Sequence, residues 1–361
     1  MHLPSLHYDC ISCGKSCREL QVEVTAQESL RLKQSPTTQA WEKAGYTPLQ
    51  LVGEEIFLSK TESGDCRYLT DEIRCSLHQE GGFAHKPRAC QEFPFVTRPT
   101  PDGVFVGLSF YCTAVAESRG REMTGRQDEL AFLLDSSRSE PVAPDSQWSL
   151  WESQAVDWPN YLNVEKFCTA GIREDPRQGL LHAVWRLGAA VCRDDLGYLS
   201  KPLGSPGVPM DLVQQIARRM IPRMESADDS GSGLLEAALR EGHGLESRAL
   251  GHRLEFVPLP SQYPDWLVQE LARYQAHVLF RKGLLAAPNV LSRACLLVLA
   301  SELVAIYAYG IAAYRQSEID PQDYYRAVGV VEGRLMLHAY GMEDLIVESA
   351  RAFLDLAVEG F

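Results

Sequence analysis

Seven cysteines at or before position 112 are the residues most capable of chemistry in this chain: Cys10, Cys13, Cys17, Cys66, Cys75, Cys90 and Cys112. Their spacing is C-x2-C-x3-C-x48-C-x8-C-x14-C-x21-C. A C-x2-C turn can bring two sulfurs to one ion, and Cys17 lies one turn further on. Three local thiolates nearly fill a tetrahedral zinc site or one set of corners of an iron–sulfur cluster. Cys66, Cys75, Cys90 or Cys112 can complete either. Gly14 suits a turn whose backbone amides face sulfur. Contexts such as "GDCRY" and "EIRCSLH" are polar, which argues against seven inert core thiols.

Nearby side chains could tune such a site. His7, His78 and His85 are candidate ligands or hydrogen-bond donors to sulfur, although loop histidines are commonly solvated. Lys86 and Arg88 flank Pro87 beside Cys90 and could offset thiolate charge. Phe93 and Pro94 follow and could wall the site from water.

The elements that would position these residues are short. "TAQESLRL" carries Thr25 and Glu28 in capping-box spacing, so a helix is expected to begin there. "EEIFLS" and "GVFVGLSF" read as strands, and "TESGDC" and "QEGGFAHKP" as loops. From about residue 118 to 160 the chain turns polar, with "SSRSEPVAPDSQW" the clearest linker stretch. Beyond it, apolar residues recur at three- and four-residue spacing in six segments, which predicts a helical domain. "MESADDSGSG" reads as an exposed loop between two of them. Cys168, Cys192 and Cys295 lie on these apolar segments and are expected to be buried core thiols. Tyr274, His277 and Arg281 share a helix face, best read as an interhelical polar contact. The expected architecture is therefore α+β. A small loop-rich cysteine domain (1–120) and a linker (121–162) precede a mostly α-helical domain (163–361) able to fold without the metal.

With 48 acidic against 35 basic residues, the net charge is −13, and no basic run offers a nucleic-acid partner. The apolar stretch "ACLLVLASELVAIYAYGIAAY" contains Glu302 and reads as a buried helix rather than a membrane span. The first residues show no basic segment leading into an apolar one, so a cytoplasmic location is expected, where metal binding is favoured over disulfides. The sequence has no P-loop, no Gly-x-Gly-x-x-Gly after a strand and no Ser-His-Asp signature. The C-x2-C-x3-C gaps are those of radical S-adenosylmethionine enzymes in reverse order, and no βα repeat supports their barrel.

Taken in order, "CISCGKSCRELQVEVTAQE", "GDCRYLTDEIRCSLH" and "KPRACQEFPF" resemble the zinc- or iron-chelating cysteine-cluster family known as CxxCxxCC or YkgJ-like. Two departures stand out: Ser16 replaces the first of two adjacent family cysteines, and Lys86 replaces the arginine before Pro87. A weaker similarity, in "LSFYCTAVAE" and the helical half with "RYQAHVLFRKGLL", is to flagellin lysine-N-methylases. That similarity adds Cys112 to the site. It also implies an iron–sulfur cluster, 4Fe-4S by preference, with S-adenosylmethionine as cofactor and a protein lysine as substrate. The alternative is a non-enzymatic zinc-binding or electron-carrying module whose helical half binds a partner protein. Oligomeric state is not legible.

Overall fold

Thr25 Oγ1 accepts the N–H of Glu28 at 3.2 Å, and Glu28 Oε2 accepts the N–H of Thr25 at 2.8 Å. This reciprocal cap starts the helix Ala26–Leu32 where the sequence placed it. Both expected strands also form, as Glu55–Leu58 and Gly103–Leu108. In "QEGGFAHKP", expected as a loop, the helix Ser76–Gly81 and a 3-10 turn at Phe83–His85 occupy most of the stretch.

The computed structural model describes residues 1–135, 142–200, 210–225, 244–337 and 342–359. The chain divides into two units. One comprises Ser5–Val96 and Cys112–Arg126; the other comprises Met1–Pro4, Thr97–Tyr111 and Gln127–Phe361. The mixed α+β class holds.

In the first unit, Glu55–Leu58 is the central strand of a three-stranded antiparallel sheet, between Glu23–Val24 and Leu49–Val52. Beneath it lies a small core of Val24, Leu32, Leu58, Tyr68 and Leu77, with Cys66 among them.

The second unit is largely helical. Val290–Tyr314 is long and apolar enough to cross a membrane, but nearly all its side chains before the last turn are buried within the unit. Around it pack Gly179–Cys192, Met210–Arg218, Pro321–Val331 and Glu343–Glu359. Within residues 121–162, expected as a linker, the strands Gln147–Trp151 and Gln154–Asp157 form a hairpin. The helix Trp158–Glu174 follows, capped by Asp157. Residues 136–141 of "SSRSEPVAPDSQW" and most of "MESADDSGSG" lie outside the described residues.

Cys168 and Cys295 are buried, as expected. Cys192 is exposed instead, because it is the last residue of its helix, where the apolar face runs out. Glu302 accepts hydrogen bonds from Arg177 (2.5 Å), Tyr263 (2.9 Å) and Gln214 (3.2 Å), which explains how a carboxylate sits in an apolar helix. The Tyr274–His277–Arg281 face is an interhelical polar contact: Tyr274 donates to Glu332 at 2.8 Å, and Arg281 forms a bidentate pair with the same carboxylate. The N–H of Leu108 donates to His277 Nε2 at 2.8 Å, so that nitrogen carries the lone pair and the Leu108 carbonyl takes its bond from Arg281 Nη1.

Candidate metal centre

All seven early cysteines fall in the first unit. They arrive on separate pieces of chain. Cys10 and Cys13 precede Gly14, whose φ of 74° turns the chain into the short helix Lys15–Glu19 that carries Cys17. A side chain at Gly14 would strike Ile73 at 2.7 Å, so the turn needs glycine for space as well as for its positive φ. Cys66 follows the "SGD" turn. Cys75 is the residue before the helix Ser76–Gly81, and Cys90 lies inside the helix Arg88–Glu92. Cys112 precedes the helix Thr113–Ala116.

Backbone bonds stitch these pieces together. The N–H of Cys66 donates to the Cys17 carbonyl at 2.9 Å, and the N–H of Leu69 to the Cys66 carbonyl at 2.8 Å. Leu69 and Cys75 form an isolated antiparallel bridge. Lys60 Nζ donates to the carbonyls of Cys17 and Arg18 at 2.9 and 3.0 Å. Arg18 ties the N-terminal turn to the next segment by donating to the Cys13 carbonyl at 3.3 Å and to Asp65 at 3.0 Å. On the other side, the N–H groups of Tyr8 and Asp9 donate to Arg121 and Arg119, and Arg121 pairs with the Asp9 carboxylate at 2.8 Å. Gly120 permits this approach: a Cβ there would lie 2.2 Å from the Asp9 nitrogen.

The thiols are electrostatic neighbours. Burial, then the charge of Cys75, raises the Cys17 thiol, while Lys86 and Lys60 pull the other way. Burial pushes Cys66 up to about 11, with Cys17 and Cys75 adding to it. Cys90 is raised by burial and then by Cys66, Cys75 and Cys17, against Lys86. Burial likewise lifts Cys112 to about 11, opposed by hydrogen bonds from the N–H groups of Val115 and Ala114 and increased by Cys13 and Cys10. Buried thiols that raise one another's pKa are poor isolated anions, whereas a bound cation would reverse the effect and hold them as thiolates.

The seven thiols are free, and among the described residues no group of three or more His, Cys, Asp or Glu side chains already stands at ligating geometry. Ligation therefore requires thiol deprotonation and side-chain rotation toward a common point. Thiolates select soft ions, so the donor set fits zinc or iron. Of the flanking residues, Lys86 acts on Cys17 and Cys90, whereas Arg88 is engaged with Glu92 at 2.7 Å. His7 bridges to Glu122 through its backbone, and His85 lies against Gly81. Pro94 is buried and Phe93 half-buried.

Sequence reasoning missed Tyr8, Lys60 and the Asp9–Arg121 pair. The position of Tyr8 beside Cys10 was a signal: burial raises its hydroxyl, and so do Cys112 and Cys10. Lys60 had none, since it reaches Cys17 across 43 residues of sequence.

Residues 9–117 match the family model described as CxxCxxCC, "Putative zinc- or iron-chelating domain". The family read from the cysteine motif is thus shown over that stretch. An uncharacterized protein of Methanocaldococcus jannaschii is 24% identical over 160 residues, which cover 42% of this chain and 54% of that relative. The match therefore spans about half the relative's length. No solved structure matches the chain.

Proposed function

We propose that the cysteine unit holds an iron–sulfur centre through its thiolates. The observation that carries this reading is the gathering of seven free thiols from four stretches of chain into one small unit, in the order of a zinc- or iron-chelating family. Seven thiolates exceed the four that either one zinc ion or one four-iron cluster takes, and it is the methylase-like "LSFYC" segment that favours iron–sulfur over zinc. When bound, the cluster would supply redox or Lewis-acid capacity. The chain's own part is to present thiolates, to shield them with the Val24–Leu77 core and to offset their charge with Lys60 and Lys86.

The experiment is purification under exclusion of oxygen, followed by iron, zinc and acid-labile sulfide analysis. Iron and sulfide in near-equal amounts, with a brown colour, are expected. Colourless protein with stoichiometric zinc and no sulfide would refute the iron–sulfur reading.

A second reading, protein lysine N-methylation with S-adenosylmethionine, is favoured by one feature: Cys112 closes the methylase-like "LSFYC" segment and neighbours Cys10 and Cys13 in charge. On this reading, adding S-adenosylmethionine perturbs the visible spectrum of the anaerobic protein. An unchanged spectrum with no bound cofactor would leave an electron-carrying or structural module.

A further inference from the structure

We infer that the seven thiols form two centres rather than one: Cys17, Cys66, Cys75 and Cys90 make a closed four-thiolate site, and Cys10, Cys13 and Cys112 make a three-thiolate site with one coordination position open. This rests on the reading that the unit binds metal, and it adds the partition of ligands.

The four-thiol set is bound together by the fold. Cys17 and Cys66 are joined by a backbone hydrogen bond of 2.9 Å, and Cys66 and Cys75 are linked through Leu69, which bonds to one and bridges to the other. Cys66 belongs to the apolar core, and Cys17 and Cys75 pack against it. Cys90 joins through Glu28, whose carboxylate caps the helix containing the core residue Leu32 and accepts the N–H of Arg88 at 2.6 Å. The electrostatics follow the same grouping: Cys66, Cys75 and Cys17 all act on Cys90, and Lys86 opposes their charge at Cys17 and Cys90. One core thiol with three half-buried ones around it would give the four-thiolate donor set of a structural tetrahedral ion.

The three-thiol set sits on a different pair of segments. Tyr8 and Asp9, just before Cys10, are held to Arg119 and Arg121, just after the helix that Cys112 begins. Cys10 and Cys13 are exposed, and both act on Cys112. The cations here are Arg121 and Arg126, paired with Asp9 at 2.8 and 3.5 Å, and Arg126 also donates to the Tyr8 carbonyl at 2.7 Å. Gly14 turns the chain between the sets, separating Cys13 from Cys17. The charge of Cys10 also reaches Cys17, so the sets are neighbours rather than remote sites. Two exposed thiolates and the half-buried Cys112 leave a fourth position for water or another exchangeable ligand, which is the arrangement of a reactive metal rather than a structural one.

The test uses the full chain, stripped of metal under reducing anaerobic conditions and titrated with cobalt(II), whose thiolate charge-transfer bands report sulfur ligation. Wild-type protein is expected to take up two equivalents, one of them readily removed by a chelator. Cys10→Ser and Cys112→Ser should each lose the labile equivalent, keep the resistant one and retain the wild-type melting temperature. Cys90→Ser should lose the resistant equivalent and melt at lower temperature. Should Cys90→Ser fail to fold, Cys10→Ser alone decides, because a single shared centre predicts a change in its chelator-resistant cobalt. Uptake of one equivalent by the wild type, or loss of the resistant ion in Cys10→Ser, would overturn the partition. A wild-type protein that binds no cobalt would instead overturn the metal reading itself.

Discussion

Glu28 Oε1 accepts the backbone N–H of Arg88 at 2.6 Å while its other oxygen closes the cap on Thr25, so one carboxylate holds the starts of two helices, the second of which carries Cys90. Burial alone would raise the Glu28 carboxyl, but donation from Arg88 and Thr25 outweighs it and holds the group below the ordinary carboxylate range.

Glu28→Gln is therefore expected to destabilise the cysteine unit by about 1 kcal/mol, as loss of a capping interaction does. The sign with pH follows from the lowered pKa. The contribution is fully present above the unfolded carboxylate value and is lost as pH falls through the lower folded one. Thermal melts from neutral to acid pH should show the variant and the wild type converging at the acid end. A constant gap across the range would disprove the linkage.

Gly120→Ala should be more damaging than an ordinary surface change. The residue has φ of 100°, and its Cβ would lie 2.2 Å from the Asp9 nitrogen and 2.7 Å from the Tyr8 carbonyl carbon. The Tyr8–Asp9 pairing with residues 119–121 must open, at a cost of roughly 1–3 kcal/mol for the strained backbone. Hydrogen exchange at the Tyr8 and Asp9 amides should accelerate in the variant, and unchanged protection would show that the contact is dispensable.

Glu332→Ala should destabilise the helical unit by about 3–5 kcal/mol. Arg281 and Glu332 are both almost wholly buried, and truncating the acid strands a guanidinium and the Tyr274 hydroxyl in the core. Replacing Arg281 and Glu332 together with apolar residues should recover part of the loss. Urea denaturation of the single and double variants measures both effects, and a loss below 1 kcal/mol in the single variant would show that the pair is not structural.

His277 gives the helical unit its own acid sensitivity. Burial, reinforced by the Arg281 charge, lowers its pKa from 6.5 to about 3. The folded form stays neutral while the unfolded chain takes up a proton below 6.5, so stability declines as pH falls across that window, by up to ~1.4 kcal/mol per pH unit. Substituting His277 with Gln should flatten the pH dependence of urea denaturation between those limits. An unchanged slope would place the sensitivity elsewhere.

What was legible in the sequence was local. The Thr25–Glu28 cap, the strands at 55–58 and 103–108 and the amphipathic helices are written in neighbours three or four residues apart, and they appear where expected. The order of the cysteines likewise pointed to a metal-chelating domain, which the family match supports over residues 9–117. Pairings set by the tertiary fold were not legible. Arg281 meets Glu332 across 51 residues, and His277 meets Leu108 across 169. No local pattern announces either. The backbone bond from Cys66 to Cys17 is of the same kind, because spacing alone cannot say that the two meet. Cys192 was misread because apolar periodicity identifies a buried face but not the point at which a helix emerges from the core.

The chain leaves the cysteine unit after Val96, contributes Thr97–Tyr111 to the helical unit and comes back at Cys112. This route imposes an order on biosynthesis. Cys10, Cys13, Cys17, Cys66, Cys75 and Cys90 all precede the departure, so a nascent chain that has released Val96 from the ribosome already carries six of the seven early thiols. Cys10 and Cys13 are made earliest of all, and Cys112 emerges only after the intervening segment Thr97–Tyr111. On the inferred three-thiolate grouping, the two thiols that are exposed in the folded chain wait through that interval for their third ligand.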